Sequence, residues 1–293
     1  MKRLFVLVLA LALMLCACGE SIDKQPEITT DTTVQSEIAL PDESADPDPE
    51  KVAKAYLNGS EEGLNGLEKE MLALAKSAIS RFYAEGMTDK EICIAAHDWI
   101  VLNTTYDVAT LAVIPKATPY SDCAYGVLKS GVGICSGYTG AFKLFMDMLG
   151  VENQVISGGA LDEDHAWNLV CLDEKWYHID CTWDDYVPDY PDRPAFHMYL
   201  FLTDDDMEKT GHIWEKSLYP KADSSDLNYY EDNKLYAQNT DEAIVMLEKA
   251  IASGAGYAEV AINKPFIDIM YEGVSAWATI FDDYYVLAFT IYR

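Results

Sequence analysis

The sequence predicts an α+β fold in which a helix bearing a cysteine packs on an antiparallel sheet. Three patterns favour this class. Apolar residues recur at the spacing of an α-helix over residues 60–85. A glycine-rich segment leads into another amphipathic stretch, which begins at Cys135 and ends before Gly150. Alternating apolar residues on both sides of Asp173-Glu174 are typical of a β-hairpin.

Residues 1–18 have the features of a secretory signal peptide. Lys2 and Arg3 give a positive start, and the apolar run over residues 4–15 is shorter than the ~20 residues that span a bilayer. The run ends in the letters LCAC, which resemble a bacterial lipobox. We therefore expect Cys18 to carry a lipid anchor. Metabolic labelling with palmitate should then depend on Cys18. The alternative is an ordinary signal peptide, cut after a small residue, with Cys18 left free.

Residues 19–50 are predicted to form a disordered, acidic tether. They are rich in Asp, Glu, Thr and Pro and nearly free of aromatic residues, so they cannot bury enough apolar surface to fold. A charged linker repels itself and extends, which gives the following domain reach. A short recognition motif hidden in this segment is the alternative interpretation.

The balance of charge excludes some classes of partner. The chain of 293 residues has 49 acidic and 21 basic side chains and a formal net charge of −28. Such a charge disfavours binding to nucleic acid or to anionic lipid head groups. We expect the main domain over residues 51–220 and a small α+β region over residues 221–293.

The first helices are expected to supply core rather than chemistry. The run from Thr88 to Glu91 has the form of a capping box, which predicts that a helix begins there after the helix of residues 60–85. Cys93 falls on the apolar face of this second helix and is expected in the core. His97 lies one position round from that face and is interpreted as a structural histidine.

Strands follow the helix of Cys135. Residues 152–160 are predicted to form a strand, and a hairpin turns at Asp173-Glu174. In the C-terminal region, we expect strands at 234–237, 257–262 and 284–292 and an amphipathic helix over 241–252. This region shows no evident catalytic cluster.

Cys135 is the candidate nucleophile because of its place at the start of a predicted helix. Backbone N–H groups and the helix dipole stabilise a thiolate there. The same N–H groups can bind an oxyanion that forms on a substrate carbonyl. Gly133 and Gly137 are expected to let a substrate backbone approach closely.

The predicted hairpin brings a histidine and an acid together. If Asp173 and Glu174 form a two-residue turn, then residues whose numbers sum to 347 face each other. His165 would then oppose residue 182, and Asp180 would lie diagonal to His165 on the same face. An aspartate that holds one imidazole nitrogen leaves the other nitrogen for the thiol.

Other residues compete for these roles. His178 shares the face of Asp180, but His165 is preferred because it opens its strand, at a rim where substrate can enter. Asp184 has the right parity but lies beyond the expected end of the pairing. Asp185 has the wrong parity and is expected to point away.

A different active-site type also fits part of the motif. Residues 133–137 match a nucleophile elbow in which cysteine replaces serine. That fold places its acid before its histidine in the chain, whereas the order here is cysteine, histidine, aspartate. No strongly apolar strand precedes the motif, so we favour the helix-borne cysteine.

The remaining cysteines give no sign of a metal site. The chain contains no C-x-x-C pair, which disfavours a zinc ribbon, and we predict neither a metal nor a cofactor. Cys123, Cys171 and Cys181 fit either the core or disulfide pairing, and an odd cysteine count outside the cytoplasm indicates at least one free thiol.

Three motifs in order carry a family resemblance. AYGVLKSGVGICSGYTGAFKLFMDMLG, DHAWNLV and KWYHIDCTWDD resemble the transglutaminase-like superfamily, most of all its bacterial secreted and lipoprotein members. The resemblance covers roughly residues 90–215 and implies a papain-like fold. The nucleophile, histidine and acid of the family fall on Cys135, His165 and Asp180.

The resemblance also implies roles for residues around the triad. HMYLFLTDDDMEKTGH is similar to the segment that follows the acid in these members, and its His197 and His212 are taken as structural unless they line the cleft. Tyr125 is the candidate for the additional oxyanion-stabilising residue of the family, with a core tyrosine as the alternative. No calcium loop of the animal transglutaminase type is recognisable.

The resemblance implies a reaction class rather than a substrate. Similar proteins include proteases, glutamine–lysine cross-linkers, amide hydrolases and inactive scaffolds. We expect a cell-surface thiol enzyme that acts on peptide or isopeptide amides of a protein or peptide substrate through a thioester. Hydrolysis is favoured, because transfer needs a site that shields the thioester from water. The alternative is a surface binding or assembly protein that retains the fold without turnover.

Overall fold

The computed structural model describes residues 46–109, 118–185, 195–263, 271–281 and 284–292. These residues lie in one compact unit, Pro41–Arg293. The predicted signal peptide, Cys18 and most of the tether lie outside the described residues. The α+β fold class is confirmed, because helices and antiparallel sheets both form this unit.

The first half of the described chain is mainly helical. Its elements are α1 (Pro49–Asn58), α2 (Gly66–Phe82), α3 (Asp89–Asn103), β1 (Thr105–Tyr106), α4 (Ala124–Ser130), β2 (Val132–Gly133) and α5 (Cys135–Leu149).

The second half contains two sheets. Its elements are β3 (Asn153–Ala160), β4 (Glu163–Leu172), β5 (Lys175–Ile179), β6 (Leu200–Leu202), α6 (Asp204–Lys209), β7 (His212–Ile213), α7 (Tyr229–Asp232), β8 (Tyr236–Ala237), α8 (Thr240–Ser253), β9 (Tyr257–Asn263), β10 (Val274–Ile280) and β11 (Tyr284–Ile291).

Local capping sets where the helices begin. Thr88 and Glu91 form the predicted capping box at the start of α3, each side chain bonding the backbone N–H of the other residue. Asp48 caps α1 by accepting bonds from the N–H groups of Glu50 and Lys51. Helix α1 therefore begins at Pro49, within the last two residues of the predicted tether.

Helix α5 is the centre of the first core. Its residues Tyr138, Phe142, Phe145 and Met146 are fully buried. They pack among α1, α3 and α4 on one side and strands β3 and β4 on the other. Because the helix is enclosed by several elements, the position of its first residue, Cys135, is fixed by the core as a whole.

The first sheet is antiparallel and has the strand order β6-β5-β4-β3-β7. Its central hairpin has the predicted register, since Leu172 pairs with Lys175 and Asn168 pairs with Ile179. The turn residues Asp173 and Glu174 have φ of 51° and 63°, the left-handed values of a two-residue type I′ turn. The pairing of β4 with β5 ends at Ile179, so the predicted partner position for His165 falls beyond the ladder.

The second sheet has the order β10-β11-β9-β8, with helix α8 packed on it. The sequence predicted β8, β9, β11 and α8, whereas β10 was missed. Side chains of this sheet share a core with the first sheet, where Trp167 lies in one apolar cluster with Val286 and Phe281. The C-terminal region is thus held to the first sheet by buried apolar contacts.

Within the described ranges, no helix combines the length and the apolar character that crossing a membrane requires.

Candidate active site

A cavity of about 430 Å³ opens where the start of α5 meets the start of β4. Cys135 and His165 lie on its wall, and Trp183 and Tyr106 flank them. Its full lining is Tyr106, Val108, Cys135, Ala160, Leu161, Glu163, Asp164, His165, Thr182 and Trp183.

Cys135 is the first residue of α5 and is partly exposed. The N–H groups of a first helical turn have no intrahelical acceptor. The residue before the helix, Ile134, provides no side-chain cap. The start of α5 therefore offers N–H groups and the positive end of the helix dipole to the thiol and to any group bound beside it.

Two glycines near Cys135 serve the fold rather than the substrate. A Cβ on Gly137 would lie 2.4 Å from the backbone oxygen of Ser121, and one on Gly133 would lie 2.7 Å from Val127 Cγ2. The same Ser121 oxygen accepts a bond of 2.8 Å from the N–H of Ile134. The expectation that these glycines admit a substrate backbone is thus corrected: they admit the chain's own backbone, which holds the start of α5.

Strand β1 brings Tyr106 to the nucleophile. Tyr106 pairs with Gly133 in the short parallel ladder of β1 and β2, and the N–H of Asp107 bonds the oxygen of Gly133. Cys135 follows two residues later. The Tyr106 ring therefore lies at the cavity wall beside the thiol.

His165 lies near the start of β4 and bonds the predicted acid. Its Nε2 is 2.6 Å from Asp180 Oδ2, and both side chains are buried. The ring stacks on Trp167 with centroids 5.7 Å apart. Since Nε2 is engaged by Asp180, Nδ1 is the nitrogen left to interact with Cys135.

Electrostatics favour a charged imidazole at this position. Burial opposes protonation of His165, but the charge and hydrogen bond of Asp180 outweigh it, and the Cys135 thiol adds to them. Together they raise the pKa of His165 to about 10. Burial would raise the pKa of Asp180, yet the charges and hydrogen bonds of His165 and His212 hold it well below its usual range.

The segment over residues 76–181 matches the model of the transglutaminase-like superfamily. Residues 76–181 are thus similar to a transglutaminase-like core. The resemblance predicted from the three motifs is confirmed for this segment, which contains Cys135, His165 and Asp180.

Named relatives match over part of their length. The human kyphoscoliosis peptidase is 28% identical over 36% of this chain, and the mouse kyphoscoliosis peptidase is 27% identical over 48%. The matches span 17% and 22% of those two proteins, so this chain covers about a fifth of their length. A crystal structure of a TGase covers 69% of this chain and 56% of its own, with 19% identity and a TM-score of 0.36.

A second histidine, His212, contacts the same acid. His212 Nε2 lies 3.2 Å from Asp180 Oδ2, and the ring is fully buried. Sequence reasoning took His212 as structural, and the structure adds that it supports the acid without lining the cavity. Strand β7, which carries it, packs against Gly158, where a Cβ would lie 2.3 Å from the oxygen of Ile213. In the sequence, the signal for this close approach was Gly158, which lies opposite His165 in the ladder.

The competing histidine is engaged elsewhere. His178 Nδ1 accepts a bond of 2.9 Å from Trp167 Nε1, and its Nε2 lies 2.9 Å from Asp204 Oδ1. Burial is the largest influence on its pKa and lowers it. With both nitrogens bonded and no access to the cavity, His178 is a core residue.

The neighbouring carboxylates also face away from His165. Asp184 Oδ2 lies 3.0 Å from His97 Nε2. Asp184 therefore faces His97 rather than His165, although its position in the sequence allowed it to share the face of Asp180. Asp185 Oδ2 accepts a bond of 2.5 Å from the hydroxyl of Tyr138 on α5. Asp180 is thus the carboxylate that meets His165.

The candidate Tyr125 does not reach the cavity. Its hydroxyl donates to Glu70 at 2.8 Å and contacts Lys129, on the helical side of the core. The assignment of Tyr125 as an oxyanion residue is therefore corrected to the alternative, a core tyrosine. The tyrosine beside Cys135 is Tyr106, and burial, followed by the Cys135 charge, raises the pKa of Tyr106 to about 12.

The five cysteines of the described ranges are not joined to one another by disulfide bonds. Cys93 and Cys181 are buried, which agrees with the core position predicted for Cys93. Cys123 and Cys171 are partly exposed. Burial, the largest influence, raises the pKa of Cys171, so its thiol is less reactive than an ordinary one.

The raised pKa of His165 makes stability depend on alkaline pH. Its ordinary value of ~6.5 in the unfolded chain rises to about 10 in the fold. The stabilisation is complete below ~6.5 and is lost as pH rises through 10, by at most about 1.4 kcal/mol per pH unit for one proton. Between pH 6 and pH 10, the free energy of unfolding measured in urea should fall less for His165→Gln than for the parent chain.

His178→Gln is the matched control for that series. Because the pKa of His178 is lowered in the fold, its contribution is lost as pH falls rather than as pH rises. Between pH 6 and pH 10, this variant should lose as much free energy of unfolding as the parent chain does. Equal slopes for His165→Gln and the parent would contradict the pairing of His165 with Asp180.

Proposed function

We propose that this chain is a thiol enzyme that cleaves peptide or isopeptide amide bonds. Cys135 is the nucleophile, His165 is the acid–base group, and Asp180 positions His165. The observation that carries the proposal is the 2.6 Å bond between His165 and Asp180 in a cavity whose wall also bears the Cys135 thiol. The name peptidase, borne by the partial relatives, supports the same class.

The first half of the reaction forms a thioester. Because the pKa of His165 is raised, Nδ1 holds the proton of the Cys135 thiol before substrate reacts, and the thiolate sulfur attacks the amide carbonyl carbon. As the C–N bond breaks, the Nδ1 proton moves to the departing nitrogen, which leaves as an amine. Asp180 keeps Nε2 bonded throughout and stabilises the imidazolium until that transfer.

The second half regenerates the thiolate. Water gives one proton to His165 Nδ1 and adds its oxygen to the thioester carbonyl, and the C–S bond then breaks. The sulfur leaves as a thiolate beside the protonated Nδ1, which restores the starting pair, and the acid product leaves. The cavity is open to solvent on one side, so water reaches the thioester, which favours hydrolysis over transfer to an amine.

We assign two donors to the oxyanion. One is the backbone N–H of Cys135 at the start of α5. The other is the hydroxyl of Tyr106, which stays protonated at neutral pH because its pKa is raised to about 12. Tyr106 thus takes the role that the sequence assigned to Tyr125.

The cavity rim indicates which side chains the enzyme prefers. Glu163 and Asp164 are exposed, begin β4 and line the cavity next to His165. Two carboxylates at the mouth of a site attract cationic groups. We therefore expect substrates with lysine or arginine near the scissile amide. The predicted lipid anchor at Cys18 would place this reaction at the outer face of the cell membrane.

Removal of the nucleophile tests the proposal directly. Cys135→Ala should abolish both peptide hydrolysis and the fast reaction of the protein with an iodoacetamide probe near neutral pH. Cys171→Ala is the matched control, since Cys171 is also partly exposed but lies outside the cavity, and it should label like the parent. The proposal fails if Cys135→Ala labels and hydrolyses as fast as the parent, as measured by mass spectrometry and peptide cleavage.

Replacement of the positioning acid tests the assignment of Asp180. Asp180→Asn should lower kcat/KM at least tenfold, but by less than the ~10⁴-fold seen for a serine triad, because a thiol is partly ionised unaided. Without the carboxylate, the pKa of His165 falls, so the alkaline limb of the pH–rate profile should move to lower pH.

Asp185→Asn provides the control for Asp180→Asn. Asp185 is a buried acid in the same segment, and an asparagine there can still accept the bond from the Tyr138 hydroxyl. This variant should leave kcat/KM and the pH–rate profile nearly unchanged. A larger loss for Asp185→Asn than for Asp180→Asn would show that the wrong acid has been assigned.

Neutralising the rim tests the substrate preference. The double change Glu163→Gln and Asp164→Asn should lower kcat/KM for lysine- and arginine-containing peptides roughly five- to tenfold, as expected for two exposed charge contacts of about 0.5–0.7 kcal/mol each. Neutral peptides should be cleaved as before, and added salt should shrink the difference. The double change Glu61→Gln and Glu62→Gln, at an exposed site outside the cavity, is the control. Equal losses on basic and neutral peptides would refute the preference.

A further inference from the structure

A second group of histidines and carboxylates lies apart from the catalytic cavity. His97 and Asp98 come from α3, His197 from the segment before β6, and Glu259 from β9. None of these residues lines the cavity of Cys135. His97 is fully buried, His197 and Glu259 nearly so, and the side chain of Asp98 is 34% exposed.

Each of the two histidines gives one ring nitrogen to a buried carboxylate. His97 Nε2 lies 3.0 Å from Asp184 Oδ2. His197 Nδ1 lies 2.8 Å from Glu259 Oε2, and Glu259 is fixed further by the backbone N–H of His197 and by the Tyr230 hydroxyl. A carboxylate in this position holds the N–H on the nitrogen it contacts and leaves a lone pair on the other nitrogen.

The two remaining nitrogens converge on one oxygen. Asp98 Oδ1 lies 2.9 Å from His97 Nδ1 and 3.1 Å from His197 Nε2. All three atoms lie within 4.8 Å of one another. A tetrahedral ion with bonds of ~2.0–2.1 Å spaces its ligand atoms about 3.3 Å apart, and the two distances to Asp98 Oδ1 lie within about 0.4 Å of that spacing.

We propose that His97 Nδ1, His197 Nε2 and Asp98 Oδ1 bind a divalent transition-metal ion of the Zn²⁺ type. Imidazole nitrogens with one carboxylate are a donor set suited to that ion. Asp184 and Glu259 orient the two rings from outside, as carboxylates commonly do for metal-bound histidines. The exposed side of Asp98 gives the ion its path from solvent and a coordination position for water.

The ion would join the two halves of the structure. Its ligands on α3 belong to the first core, whereas Glu259 belongs to the second sheet. The ring of Tyr229, from α7, stacks on His197 at 4.0 Å with an angle of 9° between the planes. We infer a structural ion that ties the C-terminal sheet to the transglutaminase-like core, remote from the proposed chemistry.

Metal content and thermal stability test the site. The full chain, stripped with a chelator, is equilibrated with Co²⁺ or Zn²⁺ and gel-filtered. We expect about one ion per chain by elemental analysis, visible d–d absorption with Co²⁺, and a higher Tm with metal than without. Asp98→Asn and, as a second variant, His197→Gln should each lose the ion, the absorption and the Tm increase.

Two further variants separate this site from its alternatives. Glu259→Gln should weaken binding by roughly 10- to 100-fold, as loss of an outer carboxylate does, while the ion is still bound at saturation. His212→Gln should bind the ion normally, because it disrupts the other histidine–carboxylate group, that of His165 and Asp180.

Three results would overturn the proposal. The parent chain could bind no ion, in which case the cluster is a hydrogen-bond network only. Asp98→Asn and His197→Gln, shown to be folded by circular dichroism, could both retain the ion. Alternatively, only His212→Gln could lose it, which would locate the ion at the active site. Each outcome is independent of catalytic activity and so does not bear on the proposed reaction.

Discussion

The buried carboxylate of Asp180 constrains the architecture around it, because a charge removed from water must find donors. Oδ1 accepts the backbone N–H groups of Thr182 and Trp183 at 2.9 and 3.1 Å. Oδ2 meets the imidazoles of His165 and His212 at 2.6 and 3.2 Å. The donors come from the turn after β5, from β4 and from β7, so satisfying one carboxylate fixes three parts of the fold relative to each other.

The same short segment anchors the rest of the transglutaminase-like core. Asp184, four residues after Asp180, bonds His97 on α3 and accepts the backbone N–H of Tyr199. Asp185 bonds Tyr138 on α5, the helix that begins with the thiol. Three acids in six residues thus face three different elements. The segment that orients the candidate acid–base group also sets the helix of the candidate nucleophile.

Sequence periodicity predicted what depends on local rules. The turn at Asp173-Glu174 fixes the register of its own hairpin, and that register alone brings His165 and Asp180 to one face. Most strands of two or three residues carry too little pattern to be recognised, so β1, β2, β6 and β7 were missed, although β8 was predicted. Tyr106 and His212 lie on such strands and reach the site through pairings distant in the chain. No local rule could select Tyr106 over Tyr125, since that choice depends on the ladder with β2.

The histidines of this acidic chain show why residue type alone could not identify the acid–base group. The sequence has five histidines among 49 acidic side chains, and each of the five lies within hydrogen-bond reach of a carboxylate. Pairing with an acid is therefore the common condition here and does not mark a functional residue. What distinguishes His165 is that it lines the cavity beside Cys135, whereas the other four histidines do not. Access to the thiol, which depends on the packing of α5 against β4, is the property that assigns the role.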